Sequence, residues 1–238
     1  LLELQTDYME TTDDAYKDLS ARFPQFNSVI EDVLGGTDVE TVGPYRLVRP
    51  IGSGGVGVVY EAVDETNGHR VALKLLSEDQ TGSAESLARF HREIETASRL
   101  NHPHVIRVID SGQVNGSQYL AMELVDGADA RRMAQVTTER CVSSACEVVR
   151  QAALGTQHAH DNGIIHRDLK PSNLMVGRDE IVRVLDLGLA RQDTDSLSDT
   201  ITQTGQVLGT IDYLAPEQAV DASNVDQRAD VYALGATL

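Results

Sequence analysis

The sequence predicts an α+β fold in two parts, a small strand-rich part followed by a larger, mainly helical part. Two observations predict it. From Pro44 to Leu76 the chain consists of short segments rich in β-branched residues and punctuated by Gly or Asn, a pattern typical of antiparallel strands. After Asp126-Gly127, apolar residues recur at helical spacing through His160.

The individual elements follow from the same patterns. Strands are predicted over Tyr45–Pro50, Val56–Val63, Arg70–Leu76, Val105–Ser111 and Gln118–Glu123. Helical spacing covers residues 84–100, and a last helix begins near Gln227. Within the helical part, short apolar pieces at Asn173–Val176 and Ile181–Leu185 predict a hairpin.

Charge narrows the class of partner. The net charge of the 238 residues is −17, which disfavours nucleic acid and anionic lipid surfaces as ligands. Residues 1–43 contain ten acidic residues against Lys17 and Arg22, and we expect them to form an acidic, helical N-terminal extension. That extension is either a loosely packed solvated segment or a docking segment. The sequence has no apolar run long enough to span a membrane, so we expect no membrane contact within this stretch.

A glycine-rich segment lies between the first two predicted strands, at Gly52-Ser53-Gly54-Gly55-Val56-Gly57. Glycines let a backbone bend closely over phosphates and present its amides to them. A dinucleotide-binding fold would place a helix directly after the third glycine, whereas Val58–Val63 has the pattern of a strand. The segment therefore indicates a glycine-rich hairpin over a phosphate.

The next predicted strand contains a lysine, in Val71-Ala72-Leu73-Lys74. A Lys within an apolar strand needs an anionic partner. Lys74 is either an edge-strand lysine or an ammonium group that binds the α- and β-phosphates of a nucleotide. Glu93, on the following predicted helix, is the natural carboxylate to orient the ammonium group.

A third motif decides between these interpretations. His166-Arg167-Asp168-Leu169-Lys170-Pro171-Ser172-Asn173 is followed thirteen residues later by Asp186-Leu187-Gly188, and then by Ala215-Pro216-Glu217. In this order, after the glycine segment and Lys74, the motifs resemble the catalytic loop, metal-binding loop and activation segment of protein kinases. The resemblance covers residues 45–238. Within the protein kinases, the sequence is most similar to the bacterial, eukaryotic-like (Hanks-type) serine/threonine protein kinases.

The resemblance implies a two-lobed protein kinase fold that uses ATP and Mg²⁺, with Mn²⁺ as an alternative ion. Asp168 matches the carboxylate that accepts the substrate hydroxyl's proton, and Lys170 matches the residue that steadies the γ-phosphate. Asn173 and Asp186 match the two side-chain Mg²⁺ ligands. Asp230 matches a structural residue that hydrogen-bonds the catalytic-loop backbone.

The same resemblance assigns nucleotide contacts. Met122 matches the gatekeeper, Val59, Ala72 and Leu174 match the apolar residues that sandwich the adenine, and the backbone from Glu123 to Val125 matches its hydrogen-bonding partner. The full implied nucleotide set is Ile51, Gly52, Ser53, Gly54, Gly55, Val56, Gly57, Val59, Ala72, Lys74, Met122, Glu123, Val125 and Leu174.

The activation segment carries the implied regulation. Thr210 matches the threonine that bonds the catalytic Asp and Lys, and with Lys170 it implies Ser/Thr substrates. Arg167 precedes Asp168 and would pair with a phosphothreonine. Thr202 and Thr204 are the candidates for phosphorylation, with Thr200 as a third, and self-association would accompany autophosphorylation.

The implied domain organisation is an extension over residues 1–43 and a kinase domain over 44–238, with its N-lobe at 45–122, hinge at 123–127 and partial C-lobe at 128–238. We expect the C-lobe to be truncated at residue 238, and this piece alone to be poorly stable or inactive. The expected location is cytoplasmic, or membrane-tethered with a cytoplasmic kinase domain if a transmembrane segment follows residue 238.

Two other functions fit the same fold. A pseudokinase scaffold would lack one of the reactive residues, and all of them are present: Lys74, Glu93, Asp168, Lys170, Asn173 and Asp186. A small-molecule phosphotransferase of related fold would lack the Ala-Pro-Glu segment and the threonine-bearing loop.

Overall fold

The chain divides into two compact units, each with its own sheet. The computed structural model describes residues 41–54, 57–76, 92, 94–114, 117–136, 142–187, 211–220 and 225–238. The expected helical extension, apart from residues 41–43, lies outside these ranges. Residues 92 and 94–108 group with the second unit.

The first unit is built on a six-stranded sheet with the strand order β1-β2-β3-β4-β6-β5. The strands are β1 (Thr41–Val42), β2 (Tyr45–Gly54), β3 (Gly57–Asp64), β4 (Arg70–Leu76), β5 (Val108–Val114) and β6 (Ser117–Glu123). The strand predicted over Arg70–Leu76 is confirmed, and the others shift by a few residues. Because β1 pairs with Arg46 and Tyr45, the sheet begins at Thr41 rather than after the predicted extension.

One face of this sheet forms the unit's apolar core. Strand side chains alternate between faces, and the buried cluster takes every second residue: Val58, Tyr60, Ala62, Val71, Leu73, Leu75, Tyr119 and Ala121. Tyr45 closes the sheet across this face, because its hydroxyl and that of Tyr119 both donate to Asp110 Oδ2 at 3.2 Å. Burial, with the Asp110 carboxylate beside it, raises the pKa of Tyr45, so the hydroxyl stays a donor.

The opposite face carries polar side chains that sequence patterns do not explain. Glu61 is 3% exposed, and its carboxylate pairs with Arg49 on β2, at 2.8 Å, and with Arg70 on β4. This pair of guanidinium groups neutralises a buried carboxylate, and it ties the three neighbouring strands together.

The second unit packs helices on a three-stranded sheet of order β7-β8-β9. Its elements are a helical turn at residues 92 and 94–98, β7 (Gly127–Asp129), α1 (Ala130–Val136), α2 (Val142–Asp161), β8 (Leu174–Gly177), β9 (Val182–Val184), α3 (Pro216–Val220) and α4 (Arg228–Thr237), with 3-10 turns at Pro171–Asn173 and Ile211–Tyr213. The predicted hairpin and last helix are confirmed.

The helical pattern predicted after Gly127 is wrong for Ala128 and Asp129, which form strand β7 with Gly127 against β8. Gly127 lies opposite Gly177, and a Cβ added to it would lie 2.0 Å from the carbonyl oxygen of Val176. Only glycine allows this approach, and the local helical pattern does not reveal it because the partner strand lies about fifty residues away.

Gln151 of α2 anchors this sheet to the helix. Its Oε1 accepts from Val182 N at 2.8 Å, and its Nε2 donates to Glu180 O at 3.2 Å and to Glu147 Oε1 at 2.9 Å. The adjacent loop joins the same sheet, since Val184 N donates to His104 O and Ile106 N to Val184 O, each at 3.0 Å. No helix of the described residues is long and apolar enough to cross a membrane.

Three histidines meet beside this loop. The ring of His102 stacks on that of His158 at 4.9 Å between centroids and lies 5.4 Å from that of His104. His104 N donates to His102 Nδ1 at 3.2 Å, so this nitrogen must be unprotonated to accept. Burial, then the neighbouring rings of His158 and His104, lower the pKa of His102.

We expect the free energy of unfolding to fall as the pH drops from 7 to 5. A His whose folded-state pKa is lowered binds its proton more readily in the unfolded chain, so stability is present above about pH 6.5 and is lost as the pH falls below it. Urea unfolding at both pH values checks this. His102→Asn should reduce the difference, whereas His69→Asn, at an exposed turn position, should leave it unchanged. An equal difference in the His102 variant would contradict this prediction.

We also expect Gln118→Met to stabilise the first unit by about 1 kcal/mol. Gln118 is 1% exposed, and within the described residues neither atom of its amide has a hydrogen-bond partner. An apolar side chain of similar shape removes that cost. Thermal unfolding checks it, with Gln151→Met as the matched control that should destabilise, since it removes bonds that are made. A lower melting temperature for Gln118→Met would show that the amide is satisfied.

Candidate active site

The loop at His166–Asn173 brings two predicted residues, Lys170 and Asn173, to the carboxylate of a third, Asp168. Lys170 Nζ lies 3.0 Å from Asp168 Oδ1 and 2.8 Å from Oδ2. Asn173 Nδ2 donates to the Asp168 carbonyl at 2.8 Å and to Oδ2 at 3.2 Å. Asp168 and Lys170 are both partly exposed. The carboxylate is thus held by an ammonium and an amide while one side stays open to a ligand.

The hairpin of β8 and β9 places Asn173 beside the residues that precede Asp186. Leu174 pairs with Val184, and Leu185 N donates to Asn173 O at 2.9 Å. Asp186 follows in a left-handed conformation with φ 54°. This sparsely populated geometry changes the direction of the chain after the strand.

Asn173 and Asp186 fit a hard divalent cation. The amide nitrogen of Asn173 is committed to Asp168, which leaves its carbonyl oxygen as the coordinating atom. A carboxylate and an amide oxygen are the donors that Mg²⁺ prefers. No cluster of three or more His, Cys, Asp or Glu with metal-binding geometry occurs among the described residues.

A buried carboxylate supports the loop from beneath. Asp230 on α4 is fully buried, and its two oxygens accept from His166 N at 2.9 Å and from Arg167 N at 2.8 Å. The prediction that Asp230 hydrogen-bonds the catalytic-loop backbone is confirmed. His160 Nε2 lies 2.7 Å from Asp230 Oδ2, a contact that the sequence did not reveal.

His166 links the loop to the segment that carries Asp186. Its Nδ1 lies 3.4 Å from the Asp168 amide, and its Nε2 lies 2.8 Å from the Leu185 carbonyl oxygen. With Nδ1 as acceptor, Nε2 is the donor to that carbonyl. The ring is 1% exposed, so these bonds are shielded from water.

Gln218 also supports the loop at His166–Asn173, a role that was not predicted from the sequence. It follows Ala215-Pro216-Glu217 directly, is buried on α3, and its Nε2 donates to the Arg167 carbonyl at 2.8 Å. Its Oε1 accepts from Ala215 N at 3.1 Å. The only sequence signal is a polar residue at the start of a short helix, which is too weak to assign.

The first unit carries four of the predicted phosphate and adenine residues on the sheet face opposite its core. The register pairs Val59 with Lys74 and Ala72 with Met122, and paired residues share a face. Lys74 is 5% exposed. The predicted site residues on β2 are Ile51, Gly52, Ser53 and Gly54, and Glu123 ends β6.

The glycine segment lies where β2 meets β3, as Gly54 pairs with Gly57. Gly57 has φ 142°, and a Cβ there would lie 1.9 Å from the Leu75 carbonyl oxygen. No other residue fits at this position. A strand follows directly, as expected for a glycine-rich hairpin rather than for a dinucleotide-binding turn.

Two predicted nucleotide residues belong to the second unit, and others lie outside the described residues. Val125 and Leu174 belong to the second unit, where Leu174 is fully buried in the apolar core. Their proposed contacts with adenine stay predictions. The remaining predicted site residues lie outside the described ranges: Gly55, Val56, Glu93, Thr200, Thr202, Thr204 and Thr210.

Comparison with known proteins agrees with this geometry. The family model of the protein kinase domain matches residues 45–238. The serine/threonine-protein kinase PknD of Mycobacterium tuberculosis is 40% identical over 196 residues, 82% of this chain and 29% of that protein. The serine/threonine-protein kinase pkn2 of Myxococcus xanthus is 40% identical over 198 residues, 81% of this chain and 23% of that protein. The chain thus spans less than a third of either relative.

A solved structure shows the same likeness. The kinase domain of PknI from Mycobacterium tuberculosis superposes with a TM-score of 0.67 at 33% identity, covering 85% of this chain and 73% of that one. The match to the family model includes the glycine-rich segment and the loop around Asp168. The chain belongs to the protein kinase family and is similar to its bacterial serine/threonine members.

Proposed function

We propose that the protein is an ATP-dependent serine/threonine protein kinase that transfers the γ-phosphate of Mg-ATP to protein hydroxyls. The observation that carries the proposal is the Asp168 carboxylate held by Lys170 and Asn173, beside the segment that leads into Asp186. Such an arrangement positions a hydroxyl and balances phosphate charge, which is what phosphoryl transfer requires of a protein.

In this mechanism Asp168 accepts a hydrogen bond from the substrate hydroxyl and takes its proton as the oxygen bonds to the γ-phosphorus. The bond from that phosphorus to the bridging oxygen breaks, and ADP leaves. Because the transition state is loose, the carboxylate acts chiefly by orientation. Lys170 lies within hydrogen-bond distance of Asp168 and would place its ammonium against the transferred phosphoryl group.

The remaining roles concern the nucleotide. Lys74 would bind the α- and β-phosphates, oriented by Glu93, and the amides of the glycine hairpin would cover them. Asn173 and Asp186 would hold Mg²⁺, or Mn²⁺ as an alternative, which neutralises the charge that develops on the phosphate oxygens. Val59, Ala72 and Leu174 would enclose the adenine, with Met122 as gatekeeper and the backbone from Glu123 to Val125 as its partner.

Regulation is proposed to act through the activation segment. Phosphorylation of Thr202 or Thr204, with Thr200 as a third candidate, would add charge that pairs with Arg167. Thr210 would bond Asp168 and Lys170 and favour Ser/Thr substrates. Self-association would allow one copy to phosphorylate another, and the kinase domain would be located in the cytoplasm, free or tethered to a membrane.

The first test is intact-mass spectrometry of the full-length protein after incubation with ATP and Mg²⁺. We expect added steps of about 80 Da, one per phosphoryl group, that map to Thr202 or Thr204. Lys74→Met and Asp168→Asn should remove the steps within the incubation that phosphorylates wild type, and Asp168→Asn should keep a slow residual rate. Lys17→Met is the matched control, since it removes a lysine far from the motifs, and it should behave as wild type. A folded wild-type protein that gains no mass would contradict the proposal.

A second test addresses the metal. Asn173→Ala removes one proposed ligand and both amide contacts to Asp168, so kcat should fall by about a hundredfold or more. The Mg²⁺ concentration at half-maximal rate should rise as well. Asn162→Ala, at an exposed position after α2, is the control and should change neither. An unchanged Mg²⁺ dependence in the Asn173 variant would remove this residue from the proposed metal site.

A further inference from the structure

Gln218 makes two hydrogen bonds that join separate parts of the second unit. Its side chain is 7% exposed, its Nε2 donates to Arg167 O at 2.8 Å, and its Oε1 accepts from Ala215 N at 3.1 Å. Both bonds go to backbone atoms. Arg167 lies 51 positions from Gln218 in the chain, and Ala215 lies 3 positions from it. Each end of the carboxamide is therefore used, and its orientation is fixed.

The residue that Gln218 contacts is conformationally costly. Arg167 has φ 68°, a left-handed conformation that costs a non-glycine residue of this kind free energy unless its surroundings hold it. Its N–H donates to Asp230 Oδ1 at 2.8 Å, and its carbonyl accepts from Gln218. Side chains from α3 and α4 thus hold both polar backbone atoms of Arg167.

Holding this carbonyl also sets the direction of the next residue. The carbonyl of Arg167 and the N–H of Asp168 belong to one planar peptide unit, so fixing the oxygen fixes the plane. Within that plane the Asp168 N–H points away from the carbonyl oxygen, and its nitrogen lies 3.4 Å from His166 Nδ1. The orientation of this plane determines how the Asp168 side chain leaves the loop toward Lys170 and Asn173.

We infer that Gln218 is a positioning residue for phosphoryl transfer, which sets the orientation of Asp168 through the Arg167 carbonyl. This inference rests on the proposed role of Asp168. The second bond of Gln218, to Ala215 N, fixes the end of the activation segment to the same peptide, so the segment and Asp168 are held by one side chain.

The test compares Gln218→Glu and Gln218→Leu in the full-length protein. Glutamate keeps the size of the side chain and the acceptor for Ala215 N but has no donor for Arg167 O, and leucine loses both bonds. We expect kcat to fall about tenfold or more in each variant. The KM for ATP should stay within about twofold of wild type, because no nucleotide contact is removed.

Gln151 provides the matched control. It is also a buried helical glutamine whose amide bonds two backbone atoms, but these belong to the β8–β9 hairpin. Gln151→Glu and Gln151→Leu should lower the melting temperature to a similar degree while the kcat of the folded protein stays near wild type. An equal fall in kcat for Gln151 and Gln218 variants would overturn the inference, because a general loss of stability would then explain both.

A double-mutant cycle separates the inference from the proposed function. In an Asp168→Asn background, Gln218→Leu should lower the residual rate by less than about twofold, because the group that it orients is already gone. A full tenfold loss in that background would show that Gln218 does not act through Asp168. An inactive folded wild-type protein would overturn the proposed function and this inference with it, whereas an active Gln218→Leu variant would overturn the inference alone.

Discussion

The second unit depends on one buried carboxylate. Asp230 has no exposure to solvent, and its oxygens accept from two successive backbone amides of the catalytic loop and contact His160. A buried carboxylate is costly unless it is fully hydrogen-bonded, so these donors and Asp230 stabilise one another. Because Arg167 adopts its left-handed conformation directly above this carboxylate, the loop keeps a geometry that its own residues would not adopt.

The geometry around Asp168 then follows in layers. Asp230 and Gln218 fix the backbone of Arg167, and His166 joins the loop to the Leu185 carbonyl. Lys170 and Asn173 complete the arrangement by contacting the carboxylate itself. Supporting hydrogen bonds of this kind hold a reactive group within the small tolerance that phosphoryl transfer allows. In the proposed mechanism the residues beneath the site would therefore matter to the chemistry, although they would not contact a substrate.

In the first unit, a six-stranded sheet carries Lys74 and the glycine segment. Its core face is closed by two tyrosine hydroxyls on Asp110, and its other face is tied across β2, β3 and β4 by Glu61 with two arginines. These contacts fix the registers that place Val59 opposite Lys74 and Ala72 opposite Met122. A sheet held on both faces gives the predicted phosphate-binding backbone a rigid support.

The sequence by itself determined the two-part α+β fold, most strands, and the motif residues Lys74, Asp168, Lys170, Asn173 and Asp186, because these signals lie within short stretches of chain. The tertiary structure alone decided that Gly127 begins a strand, that His160 supports Asp230, and that Gln218 holds the Arg167 carbonyl. Each of these contacts joins residues about 50 to 70 positions apart. Local patterns report propensity and periodicity, whereas the partner of a buried polar group is chosen only when distant segments pack together.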